Sequence, residues 1–204
     1  DAKVEEFKQL IRNIGAAGIK YNTYAHMANG IWSSGRAEGR GGMDARRLDI
    51  KDAVGRWGDK TYAGELTHGR RYSEAELWEN YTHLIREITP VAEEAGVFIG
   101  VHPDDPPVYD LGGIPRCMFG NFAGYKKAME IADSPNIGVC LCVGCWLEGG
   151  EVGMGVGVVD AIKHFGEKGQ LFKVHFRNVS NPMPEPWVET LIDNGYQDMF
   201  EVMK

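Results

Sequence analysis

The stretch Val97-Phe98-Ile99-Gly100-Val101-His102-Pro103-Asp104-Asp105-Pro106-Pro107 decides how the chain is read. A short apolar run enters a histidine, two carboxylates and three prolines. A run this short, with no polar alternation, predicts a strand buried on both faces, as in a parallel sheet. Its terminal histidine is held by a rigid element where the chain leaves the sheet, so it can face a cavity. A lone histidine there also fits a packing role, with its ring satisfied by a backbone carbonyl. The arrangement recurs, however. Ile137-Gly138-Val139-Cys140-Leu141-Cys142-Val143 is a second apolar run ending in thiols, and Leu171-Phe172-Lys173-Val174-His175-Phe176 is a third ending in a histidine.

Composition narrows the class. The chain has 204 residues, 43% apolar and 25% charged, which are the proportions of a globular protein with one sizeable core. A net charge of −7 argues against nonspecific nucleic-acid binding, which needs a basic surface. No apolar run approaches the ~20 residues of a membrane span, and no signal-peptide pattern opens the chain. The cysteines are Cys117, Cys140, Cys142 and Cys145. Three crowd together, which suits a reduced, cytoplasmic protein with a thiol or metal function better than a disulfide framework. Asp1 enters a helical pattern at once and Lys204 stops within another, so both ends are read as cut from a longer polypeptide.

Around the three runs the chain alternates. Val4, Phe7, Leu10, Ile11 and Ile14 recur at helical spacing, and residues 19–24 form a first strand candidate with Asn22, Tyr24 and His26 pointing one way. Residues 29–72 are rich in glycine and arginine with weak periodicity, and read as a loop insertion: a lid, a binding loop or a linker. Trp32, Trp57, Tyr62 and Leu66 give it apolar anchors. Its arginines can clamp an anionic substrate, while Asp44, Asp49 and Asp52 nearly cancel their charge. Ser73 and Glu76 spell a capping box for the next helix, in which Pro90 predicts a kink or break. Further helices are expected over residues 120–131 and 158–165. A glycine-rich loop is expected after Cys142, and a last helix from about Trp187.

Strict alternation of buried strands and helices predicts an α/β fold with a parallel sheet and right-handed crossovers. Each strand ends in a polar group and a following loop, the way active sites are built on a (β/α)8 (TIM) barrel. No GxGxxG follows a strand, as a dinucleotide-binding sheet would require. Four strands cannot close a barrel, so the expectation is one incomplete barrel domain spanning residues 1–204, about four βα units. His102, Cys142 and His175 then stand at the ends of consecutive strands ~4.8 Å apart, where imidazole and thiolate suit a first-row transition metal. Cys140 shares a strand face with Cys142. Cys142 lies nearer the strand end and is the preferred donor, with Cys145 a loop alternative.

His102-Pro103-Asp104-Asp105-Pro106-Pro107, Leu111-Gly112-Gly113-Ile114-Pro115-Arg116, Cys142-Val143-Gly144, Lys173-Val174-His175-Phe176-Arg177-Asn178-Val179 and Tyr21-Asn22 together resemble the mannonate dehydratase family. The resemblance covers nearly the whole chain. It implies a TIM barrel of the xylose-isomerase-like type that dehydrates D-mannonate with Mn2+ or Fe2+, in a full-length protein expected as a homo-oligomer, a dimer. It implies His102, Cys142 and His175 as metal ligands, with a fourth ligand, an aspartate, and a catalytic histidine on a later strand. Arg177 can bind the substrate carboxylate. Asn22 and Asp104 can hold sugar hydroxyls, and Asp104 can instead orient His102 or cap its turn. The Gly/Arg-rich stretch and Cys145, where a serine is expected, depart from the family pattern. A sugar isomerase or epimerase on a related barrel and an inactive barrel fragment are the rival readings.

Overall fold

The computed structural model describes residues 1–204. Helix α1 (Ala2–Ala16) is capped by Asp1, whose carboxylate accepts from the Lys3 amide. It leads into β1 (Tyr21–Ala25). Helix α2 (Glu74–Ala95) follows the intervening segment. Ser73 and Glu76 exchange side-chain and backbone hydrogen bonds at its start, satisfying two otherwise unpaired amides. Tyr81, Ile85 and Ile88 form its fully buried stripe, each apolar side chain contributing roughly 1.5–3 kcal/mol. The helix runs unbroken through Pro90. Proline lacks the amide that would bond back one turn, and here the Thr89 hydroxyl donates to the Ile85 carbonyl at 2.6 Å beside it. The expected break is therefore absent.

The rest of the parallel layer comprises β7 (Phe98–His102), α3 (Phe122–Ala132), β8 (Ile137–Cys142), α4 (Val143–Met154), α5 (Val158–Glu167) and β9 (Leu171–His175). The strands lie in the order β1-β7-β8-β9, all parallel. This is how consecutive βα units of a (β/α)8 barrel are laid down. Ala25 pairs with His102, and Cys142 with His175 across a register shift at Val139/Cys140. One end of the sheet thus carries both histidines and the thiols. Ile99, Val101, Val139 and Leu141 are wholly buried and join the hydrophobic cluster with the helices. No helix is long and apolar enough to cross a membrane.

Two expectations are corrected by smaller sheets. The Gly/Arg-rich stretch contains β2 (Ile31–Ser33), β3 (Arg36–Glu38), β4 (Asp44–Leu48), β5 (Val54–Trp57) and β6 (Lys60–Tyr62). The segment from Trp187 is a strand, β11 (Trp187–Thr190), pairing with β10 (Asn178–Val179). Antiparallel sheets run β10-β11-β4-β3 and β2-β5-β6. Short strands with one solvated face carry little apolar periodicity, so the sequence hides them. Trp187 is buried beneath the Arg46 guanidinium, 4.9 Å from its ring centroid. A helix appears only at α6 (Met199–Met203), capped by Asp198. The glycine-rich loop after Cys142 is also corrected: α4 begins at once, and its glycines show only as a break at Gly150, φ 65°.

Candidate metal centre

Four parallel strands end together, and the side chains there point to one mouth. His102 Nδ1 lies 2.8 Å from the Pro103 carbonyl oxygen. A carbonyl only accepts, so Nδ1 carries the proton and Nε2 offers its lone pair. That Nε2 faces His175 Nδ1 at 3.1 Å. The other His175 nitrogen, Nε2, is 3.6 Å from the Cys140 sulfur. Cys142 pairs in register with His175 on the neighbouring strand. His102, Cys142 and Cys145 offer three ligand atoms, all within 4.8 Å of one another. Two imidazoles and neighbouring thiols on rigid strand ends form a mixed nitrogen–sulfur donor set that fits a divalent transition metal.

The electrostatics favour anionic sulfur at Cys142. Its thiol is held well below the ordinary range, chiefly by the Cys145 hydrogen bond, with the two histidines and Arg177 adding to it against the opposing effect of burial. Burial drives Cys145 well above that range, and the neighbouring Cys142 thiolate adds to the rise. Burial disfavours a charged His102, but Cys142 and the Pro103 carbonyl outweigh it and its pKa is raised.

Behind the thiols lies an ion cluster that sequence reasoning missed. Arg46, on β4, donates to Asp105 and to Glu148, both at 2.8 Å. Arg177 pairs with Glu148 and, at 2.7 Å, with Glu189. Glu148 is wholly buried, and burial beside Asp105 lifts its pKa to about 8 despite both arginines. Both guanidinium groups approach Oε1, while Oε2 has no hydrogen-bond partner. A proton on Oε2 leaves two positive against two negative groups in the cluster. One signal for Glu148 stands in the sequence: Cys142, Cys145 and Glu148 are spaced by three, so they share a face once residues 143–154 are helical. Reading that segment as a loop hid it.

The remaining expected site residues divide. Arg177 is at the mouth, 3.5 Å from the Cys145 sulfur and 4.0 Å from that of Cys142. A side chain at Gly144 would collide with its guanidinium, so glycine there lets the arginine lie against α4. Asp104 turns away. It is buried and paired with Arg116 at 3.0 Å, and Arg116 also donates to Asn29. The expectation that Asp104 orients His102 is corrected, since the Pro103 carbonyl occupies that position. Asn22 pairs in register with Ile99, on the helix-covered face. Its neighbour Thr23 faces Cys140 instead, with 4.0 Å between oxygen and sulfur. Strand alternation therefore keeps Asn22 out of the cluster. Of the stretch's arginines, only Arg46 reaches the cluster; Arg36, Arg40 and Arg47 form exposed pairs with Asp44, Asp193 and Asp52.

Comparison with known proteins agrees with this architecture. Residues 54–204 match the family model of D-mannonate dehydratase (UxuA). The chain is 28% identical over 225 residues to mannonate dehydratase 2 of Halalkalibacterium halodurans, covering all of this chain and 63% of that protein. The crystal structure of mannonate dehydratase from Streptococcus suis superposes with a TM-score of 0.82 at 29% identity, over 99% of this chain and 56% of the other. The IOLI protein, crystallised with a zinc atom, shares the fold at a TM-score of 0.56 and 12% identity. The chain thus spans between about half and two thirds of the length of such relatives. With the matched region reaching from β5 to the last residue and including every strand end of the mouth except that of β1, the chain belongs to the D-mannonate dehydratase (UxuA) family.

Proposed function

We propose that the chain is the metal-holding part of an enzyme that removes water from D-mannonate to give 2-dehydro-3-deoxy-D-gluconate. The observation that carries this reading is the convergence of His102, His175 and the Cys142 thiol at one strand-end mouth, in a chain of this family. These three residues would hold a manganese or ferrous ion. When bound, the ion supplies Lewis-acid stabilisation of negative charge on the substrate's carboxylate and hydroxyl oxygens.

The chain's own residues prepare that mouth. The Pro103 carbonyl fixes the His102 ring and its tautomer, which leaves Nε2 as the donor. Arg177 is anchored by Glu148 and Glu189. It is partly exposed and presents positive charge beside the thiols, where a sugar-acid carboxylate would sit. The reaction breaks the C2–H and C3–O bonds: the C2 proton goes to a base and the C3 hydroxyl leaves as water with a proton from an acid. The enol so formed becomes the 2-keto acid. The protein acts on its sugar acid as a homo-oligomer, in the cytoplasm.

The test is direct. Purified protein supplied with D-mannonate and Mn2+ or Fe2+ is assayed for a 2-keto-3-deoxy acid. Its appearance, lost on chelation, supports the reading. Aldose–ketose interconversion without dehydration contradicts it.

A further inference from the structure

Cys145 is the least expected group at the mouth. It stands on the first turn of α4, three residues after Cys142, which is the residue before the helix begins. That spacing brings the two thiols onto one side, and their sulfurs lie within 4.8 Å of one another. Both are buried and free. Arg177 donates to the Cys145 sulfur at 3.5 Å. Cys145, Cys142 and His102 offer three ligand atoms within 4.8 Å of each other, a grouping without Cys140 or His175. Cys140 lies apart, against Thr23 and the far nitrogen of His175.

We propose that Cys145 is a second sulfur donor to the ion held by His102 and Cys142, and that it sets the metal preference of the site. This deepens the metal-centre reading and rests on it. Manganese is served by oxygen and nitrogen donors and stands lowest among the divalent first-row ions in affinity. A second thiolate adds soft donation that ferrous, cobalt and zinc ions use and manganese does not. Of the two ions proposed above, the site therefore selects ferrous iron.

The experiment uses the whole chain, kept reduced and free of oxygen, with Co2+ as the spectroscopic probe. Thiolate–cobalt charge transfer in the near ultraviolet scales with the number of bound sulfurs. The wild type is expected to show a band that falls to about half in Cys145→Ser and in Cys142→Ser, and is unchanged in Cys140→Ser. Competition between Zn2+ and Mn2+ is expected to shift at least tenfold toward manganese in Cys145→Ser. Cys145→Ala gives the same reading should the serine variant fail to fold. An unchanged band and an unchanged preference in the Cys145 variants overturn the inference while leaving a single-thiolate centre intact. Absence of cobalt binding by the wild type overturns the metal centre itself.

Discussion

The parallel sheet and the small antiparallel sheets meet at the same mouth but are built on different principles. Strands β7 and β8 are apolar and, apart from exposed Phe98 and half-buried His102, buried, and their stability comes from burial against helices. They deliver His102 and Cys142 as rigid termini. The β10-β11-β4-β3 sheet is short and polar. Leu48, Val179 and Trp187 root it in the core, and Arg46 joins β4 to Asp105, Glu148 and Glu189. The apolar layer therefore positions His102 and Cys142, and the small sheets supply the charged wall behind them. Metal donors and ionic lining should respond to mutation independently in position and together in function.

The largest expected effect tests that attachment. Arg46→Ala leaves Asp105 and Glu148 buried with one guanidinium fewer, and breaking a buried ionic partnership costs about 3–5 kcal/mol. Urea denaturation measures it. A cost below about 1 kcal/mol would mean that the apolar contacts of Trp32 and Leu48 hold the Gly/Arg-rich stretch without the ion cluster. Next comes acid stability on the apolar side. His26 sits edge-on to Tyr81 and Phe119, and burial lowers its pKa to about 4. The folded state then binds fewer protons than the unfolded one between pH 6.5 and 4. Stability is full above 6.5 and falls as the pH drops through that window, by up to about 3 kcal/mol. Denaturation midpoints taken at pH 7 and 4.5 should show this slope, and His26→Phe should lack it.

A smaller effect follows at the seam between the layers. Gly144→Ala pushes against the Arg177 guanidinium, at a cost of about 1–3 kcal/mol. It should also weaken sugar-acid binding, read by calorimetry, while leaving metal affinity within a few-fold. The smallest is Arg36→Ala. Its pair with Asp44 is exposed, and such pairs are worth about 0–1 kcal/mol. A thermal melt should barely move.

How far the sequence revealed this follows from the same contrast. Val97–His102 and Ile137–Cys142 announced themselves because strands buried on both faces leave unbroken apolar runs. The strand-end residues His102 and Cys142 came with them. Ser73 and Glu76 marked the start of α2 through local chemistry. What stayed hidden depends on distant partners. Arg46 looks like its neighbours Arg36 and Arg47 until β4 pairs with β11 and brings it to Glu148. Asp104 and Asp105 are adjacent in sequence, yet one pairs with Arg116 and the other with Arg46. No spacing rule distinguishes them, because a loop rather than a periodic element sets their directions. Asn22 was misplaced for a simpler reason: one residue of strand register decides the face.

The central claim is that the ends of β7, β8 and β9 form one metal centre. Equilibrium dialysis of the reduced protein against Fe2+ or Mn2+, with metal counted per chain, tests it most directly. One ion per chain is predicted, with affinity falling at least 100-fold in each of His102→Ala, Cys142→Ser and His175→Ala while the circular dichroism spectrum is unchanged. Binding that survives all three substitutions, or no binding by the wild type, would contradict it.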